Sequence, residues 1–403
     1  MNALVLYDDD TARGFEPFSL TRPACELRAG TEIVRRRWEH ALDAESTAFA
    51  GASHLADFEE LDAPPMLHGE VSPGTIVAHS RCAVALGVAD GSADVWTCGG
   101  RVAAIRAGRG GLALETLRDG TTALEAHAPA NAVTREVEGW WIDEVWDLIR
   151  HLPDMLASDI TSRVETLDTV SAAEAGGAVI GAYPARVERG ASIEPYTVFD
   201  GSAGPILVRR GATIAPFTRL VGPCYVGEDS TVAGGRIAST SIGEQCRVHG
   251  EVSMTVFLGH ANKSHDGFVG HSYLGRWTNL GASTVTSNLK NTYGSVMLWT
   301  PHGMRDTGMQ FLGSLLGDHA KTAIGTRLTT GTVIGAGANV FATSMTPKVV
   351  APFSWGGGPD ASVYEADKFL GVAERVMSRR HVELTERARR WLAAAYAARW
   401  QVG

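Results

Sequence analysis

Between Asn262 and Asn291 the chain reads NKSHDGFVGHSYLGRWTNLGASTVTSNLKN, which gathers two histidines, two lysines, four asparagines and three aromatics around glycines, with a single acid. An imidazole titrates near neutral pH and can take a proton from an attacking group. His265, whose polar neighbours keep it accessible, is therefore the candidate general base, whereas His271 is read as structural. A transfer reaction also needs polar groups to hold its acceptor, and the stretch is rich in amides and ammonium groups. A surface loop tolerates more variety than this, and a plain core strand carries fewer polar groups. The stretch requires a scaffold that sets polar side chains at regular heights.

That scaffold is visible in the spacing. Val208, Ile214, Leu220, Val226 and Val232 recur every sixth residue; after Ile237 and Ile242 the step resumes at Val248 and Met254, and again at Leu274, Leu280 and Thr286. Glycine follows the apolar residue at Val226, Ile242, Leu258, Leu274, Leu280, Ile324 and Ile334. A six-residue period fits neither an α-helix nor simple strand alternation, and it predicts a hexapeptide β-helix whose three short sides make a coil of ~18 residues. The branched residue of each hexad points into a narrow interior.

Ahead of the repeats, NALVLY at residues 2–7 predicts a buried strand followed by the acidic turn Asp8–Asp10, and GTEIVRRRWEHAL predicts a helix over 30–42. Strand-like and helical pieces alternate to about residue 137, as in an α/β domain. EGWWIDEVWDLIRHLPDMLASDITSR is expected to form a tryptophan-rich helical arm broken near Pro153. The tail from Ser362 has helical spacing and is expected to pack on the prism or on a neighbouring subunit. The resulting domains are 1–138, a helical arm at 139–175, the β-helix at 176–355 and a helical tail at 356–403.

Composition narrows the function. Net charge is −9 with no basic run, which argues against nucleic-acid binding. Five cysteines without a CxxC pair point to reduced thiols in a cytoplasm, not to a disulfide framework or a zinc site, and no metal ligands are assigned. No window approaches eighteen consecutive apolar residues, and the opening MNALVLYDDD lacks a signal-peptide pattern.

The H-x-x-[FY]-x-G spacing from His265 and the later N-x-G-A-x-T-x-x-x-N resemble the acetyltransferase half of the bifunctional N-acetylglucosamine-1-phosphate uridyltransferase/glucosamine-1-phosphate acetyltransferase. FEPFSLTRPACELRAG, SNLKNTYG, LLGDHAKTAIGTRLTTGTVIGAGANVF and PFSWGG are similar to a divergent bacterial branch of two-domain sugar nucleotidyltransferases, so that the resemblance spans nearly the whole chain. It implies an α/β nucleotidyltransferase-like N-terminal domain, degenerate and Rossmann-like, followed by a left-handed parallel β-helix, a homotrimer and a site where prisms meet. Handedness comes from the resemblance alone; general crossover rules give the opposite hand.

The resemblance makes His265 the base of acetyl transfer from acetyl-CoA, Asn279 and Asn288 contacts to the acceptor sugar, and Ala282 a position where the thioester passes close to the backbone. Phe268 replaces a tyrosine, and in GEVSMT only Glu251 survives of a Glu-plus-lysine stretch, leaving Lys263 and Lys290 to hold the substrate. Lys321, Arg327 and the pair Arg379–Arg380 are candidates for coenzyme A phosphates.

At the other end Arg13, Pro17, Arg22 and Pro23 echo a nucleotide-binding pattern, with Arg28 nearby, but the glycine loop is missing and Ala24 stands in place of a lysine. Mg²⁺ is required only if that half is active. The leading expectation is an acetyl-CoA-dependent N-acetyltransferase acting on an amino-sugar phosphate or a nucleotide-linked amino sugar, with no nucleic-acid or membrane partner. The alternatives are a sugar-1-phosphate nucleotidyltransferase with a structural β-helix, and a silent scaffold or sugar-nucleotide sensor.

Overall fold

The computed structural model describes residues 2–341, 344–358 and 360–401. They form two compact units: one runs to Leu148 and includes Thr385–Ala398, the other spans Ile149–Leu384 with the residues from Arg399. Among the described residues no helix is long and apolar enough to cross a membrane.

The first unit is α/β. Its six-stranded sheet runs in the order Ala44–Ala50, Asn2–Tyr7, Ile76–His79, Arg101–Arg106, Val95–Cys98, Thr134–Glu136. Asn2–Tyr7 is parallel to both neighbours, and Arg101–Arg106 is antiparallel to Ile76–His79. The expected helix starts later than the spacing suggests, at Val34, because Glu32–Ile33 pairs with Arg28–Ala29. It buries Val34, Trp38 and Leu42 along with Arg37, whose guanidinium donates to the Ala29 and Val84 carbonyls. Trp140 and Trp141 lie on a strand, Gly139–Trp141, which pairs antiparallel with Cys82–Val84 instead of opening a helical arm. The unit is completed by Glu386–Ala397, whose Trp391 donates its indole N–H to the Thr21 carbonyl at 2.8 Å and meets the edge of Phe58 at 5.0 Å.

The second unit opens with the helix Leu152–Val164, with Pro153 in its first turn where the missing N–H costs nothing. It then winds into the β-helix. One face is a ten-stranded sheet, parallel after its first pair, and the other faces share a fourteen-stranded one. Val208, Ile214, Leu220, Val226, Val232, Ile237, Ile242, Val248, Leu274 and Leu280 all point into a single core, as the period requires. Two positions differ. Met254 sits at a corner with φ 47, and Val252 takes the interior place. Ile324 is 79% exposed.

Coil length also varies, from 15 residues (Arg236 to Glu251) to 21 (Val198 to Arg219). One coil takes 42, from Tyr273 to Leu315, because the hairpin Met297–Thr300/Gly303–Asp306 is inserted in it. The helix Ala366–Ser378 closes the last coil by setting Phe369 against Phe353 and His319. The tail therefore divides: its first helix covers the prism, as expected, and its second belongs to the α/β unit.

Candidate functional site

Parallel pairing stacks residues of successive coils, so register decides which side chains share an edge of the prism. Arg247, Asn262, Asn279, Lys321 and Asn339 form one row on five coils. Arg219, Arg236 and Glu251 form another, which Phe268 continues beside Val269; Val285 and Arg327 pair further along. The corner between these rows carries His265 on one coil and Ala282 one coil on, at the same offset of 17 residues that pairs Asn262 with Asn279. His265, Ala282, Glu251, Phe268, Asn279, Lys321 and Arg327, widely separated in sequence, thus stand around one edge.

Gly267 explains the tightness of this corner. Its φ is +129, and a Cβ there would lie 2.2 Å from the Thr284 carbonyl. His265, two residues earlier, is exposed. One coil before, His249 is bonded on both sides, its Nδ1 to the Ala233 carbonyl at 2.8 Å and its Nε2 to Asp266 at 2.9 Å. Their 17-residue separation carries no signal until coil length is known, so sequence reasoning missed this pair. Asn262 donates to Asn279 at 2.6 Å and accepts from Ser264, a ladder that fixes the row beside the corner.

Lys263 is a correction. It pairs with Val248 at an interior position and is 2% exposed. Its ammonium donates to the His249 carbonyl at 2.9 Å and, in a shorter contact, to the His265 carbonyl. Burial pulls it down to about 8. A cation committed to two main-chain acceptors inside the prism does not hold a sugar; it holds the bend that carries His265. Lys321 is half-buried, donates to the His319 carbonyl at 3.1 Å and is likewise pulled down to about 8 by burial. Arg380, on the tail, lies near Arg247 of the asparagine row.

Asn288 and Lys290 fall on a different edge. The Asn288 amide donates to His271 Nδ1 at 2.9 Å, and Lys290 bonds the Ser295 carbonyl at the base of the hairpin. His271 stacks on Phe311, and burial pushes it down to about 4, so it is neutral near pH 7. It is structural, as read from the sequence.

In the α/β unit the arginines expected to meet a nucleotide are used elsewhere. Every residue from Phe15 to Gly30 is buried, so FEPFSLTRPACELRAG is core and not an open phosphate loop. Arg22 pairs with half-buried Glu60 at 2.7 Å, and Arg28 donates to the Thr31 carbonyl. Arg13 staples the Asp8, Leu117 and Arg118 carbonyls. Asp8 is buried and raised to about 6 by desolvation. Asp9 accepts from the Ala12 N–H and from Arg81, so the acidic turn is not a ready cation site. Among the described residues no group of three His, Cys, Asp or Glu could hold a metal ion.

The unit nevertheless has a cleft of about 760 Å³, lined among others by Asp10, His79, Arg81, Arg101, Glu125 and Trp141. It opens at the carboxyl ends of Asn2–Tyr7 and Ile76–His79. The chain leaves the first of these strands to one side, for Ala44–Ala50, and returns to the other side for the second. Ligands of open α/β sheets bind at such switch points. These residues come from segments scattered over the first 141 positions, and only the sheet order brings them together.

Residues 4–166 match a family described as sugar nucleotidyl transferase. That match supports a sugar-related transferase. No curated protein matches the chain. Among solved structures, a presumed acetyltransferase of Bacillus cereus aligns with 12% identity over 55% of this chain and 96% of its own, with a TM-score of 0.23.

Proposed function

We propose that the protein transfers an acetyl group from acetyl-CoA to the amine of an amino-sugar phosphate or a nucleotide-linked amino sugar, with His265 as general base. The observation that carries this reading is the edge where His265 stands exposed, stacked one coil from the small Ala282 and flanked by the Asn279 and Phe268 rows. His265 accepts the proton of the amine as it attacks the thioester carbonyl and returns it to the departing thiolate. Asn279 and Glu251 bind acceptor hydroxyls, and Ala282 leaves room for the acyl group. Arg327, exposed two coils beyond Phe268, meets a coenzyme A phosphate, with Lys321 beside it. A homotrimer, in which a second prism closes the groove, completes the proposal.

A second reading, nucleotidyl transfer in the α/β unit, is favoured by the cleft and by the family match. The residues above give it less chemistry: no lysine is among those that line the cleft. The two separate by product. Thiol release from acetyl-CoA is measured across a panel of amino sugars, against pyrophosphate release from nucleoside triphosphates with sugar 1-phosphates. Thiol release is expected, falling at least ~10²-fold in His265→Ala. Pyrophosphate alone transfers the case to the second reading, and neither product leaves a silent scaffold.

A further inference from the structure

The corner that carries His265 continues toward the start of the prism, and there it bears rings. Tyr196, Phe217, Gly234 and His249 stand on successive coils, each two residues before a member of the row Val198, Arg219, Arg236 and Glu251. The stretches IEPYT and IAPFT repeat one another, so two coils build the same turn twice. In each the threonine hydroxyl donates back across the turn, Thr197 to the Glu194 carbonyl at 2.8 Å and Thr218 to the Ala215 carbonyl at 2.7 Å. Tyr196 and Phe217 take φ of 65 and 59, a region that bulky side chains avoid.

Burial does not explain these rings. Tyr196 is 75% exposed and Phe217 76%, and they stack with planes 3° apart and centroids at 5.5 Å. Among the described residues neither has a further ring partner. The next corner residue, Gly234, carries no side chain, and the His249 ring leans back over it to bond the Ala233 carbonyl. Charge supplies a second, independent feature. Arg219 is matched by Asp200 at 2.6 Å, but Arg236, one coil on, is exposed and has no ion-pair or hydrogen-bond partner among the described residues.

An open aromatic face stacks a planar base of any kind, and a free guanidinium takes a phosphate. The register sets the two in line with His265. Three coils separate Phe217 from Asp266, a span of ~14 Å at the usual strand spacing, and Arg236 stands within it. An extended nucleoside diphosphate sugar covers about that length from base to sugar amine. We propose that the acceptor is nucleotide-linked, with its base on the Tyr196–Phe217 stack, its diphosphate at Arg236 and its amino sugar at the His265 corner. Coenzyme A then keeps the opposite direction of the same edge, past Ala282 toward Arg327. The proposal rests on acetyl transfer at His265 for the placing of the amine, whereas nucleotide binding needs no turnover.

Titration calorimetry of the full chain tests it, with UDP and coenzyme A as probes and Phe217→Asn, Phe217→Tyr and Arg236→Gln as variants. Asparagine removes the ring and tolerates the left-handed backbone. UDP is expected to bind the parent, and to bind Phe217→Asn and Arg236→Gln at least about tenfold more weakly, the usual cost of losing a stacked base or a charged hydrogen bond. Phe217→Tyr binds it as the parent does, and coenzyme A affinity is the same in all four proteins. In turnover Phe217→Asn raises KM for UDP-glucosamine at least about tenfold and leaves KM for glucosamine 1-phosphate unchanged. The proposal is overturned if UDP does not bind, or if Phe217→Asn binds it as well as the parent, which would give the nucleotide to the α/β cleft. It is also overturned if coenzyme A affinity falls in Phe217→Asn, which would give the stack to the donor's adenine. A change of oligomeric state in that variant, read by sedimentation, would make the stack a contact between copies and overturn it likewise. UDP binding that depends on Phe217, with no thiol release from any acceptor, would sink acetyl transfer and leave the nucleotide subsite standing.

Discussion

Lys263→Met is the most informative change in the prism, because the residue links the core to the corner that bears His265. In the folded protein burial brings the ammonium from 10.5 down to about 8. Between those two values the unfolded chain still binds a proton that the folded chain has released, so stability rises with pH across that window. At about 1.4 kcal/mol for each pH unit, the rise has a ceiling of about 3 kcal/mol. The two carbonyls that accept from the ammonium favour its charged form and draw the value below that ceiling. Methionine has similar length and no proton to lose. Denaturant unfolding of parent and variant at half-unit intervals from pH 7 to 10.5 isolates the effect, since all other groups cancel in the difference. The parent should gain on the variant steadily above pH 8. A difference that stays flat, or falls, would refute the placement of this lysine inside the prism. The variant also leaves the His249 and His265 carbonyls without their donor, and turnover should drop with little change in KM, as expected when the base is displaced and the binding rows are not.

Other consequences are open to measurement. Arg22→Met removes the charged hydrogen bond from Arg22 to Glu60 and should cost the α/β unit about 1.5–3 kcal/mol in urea unfolding; a loss under about 0.5 kcal/mol would mean that the pair is not structural. His271 has a folded value of about 4, below its ordinary 6.5, so the unfolded chain binds more protons between the two and stability is lost as pH falls through that range. His271→Phe should make the acid limb of the stability curve shallower, and an unchanged limb would contradict the buried, neutral ring.

The β-helix was legible because its interior is narrow: only a small branched residue fits, and it must return once for each side. The period could not show coil length, which the hairpin after Asn288 and the short coils near Glu251 change independently of the hexads. For that reason Lys263 looked like any surface lysine, when its pairing with Val248 sets it inward. His265 was recognised by its chemistry, Asn279 and Ala282 by resemblance to a family, and register supplied their common edge. The α/β half was legible as a class and not as a site. Its conspicuous motif, FEPFSLTRP, proved to be packed core. The polar groups that open into space, His79, Glu125 and Trp141, are ordinary residues in sequence that only the strand order makes neighbours.

The helix Glu386–Ala397 closes a core whose other pieces are made first. During synthesis the ribosome delivers strand, sheet and the entire solenoid before Trp391 emerges to cover Thr21 and Phe58. Until then the α/β unit waits with an open seam. Loss of this helix would injure the α/β unit, from which almost the whole β-helix separates it in sequence.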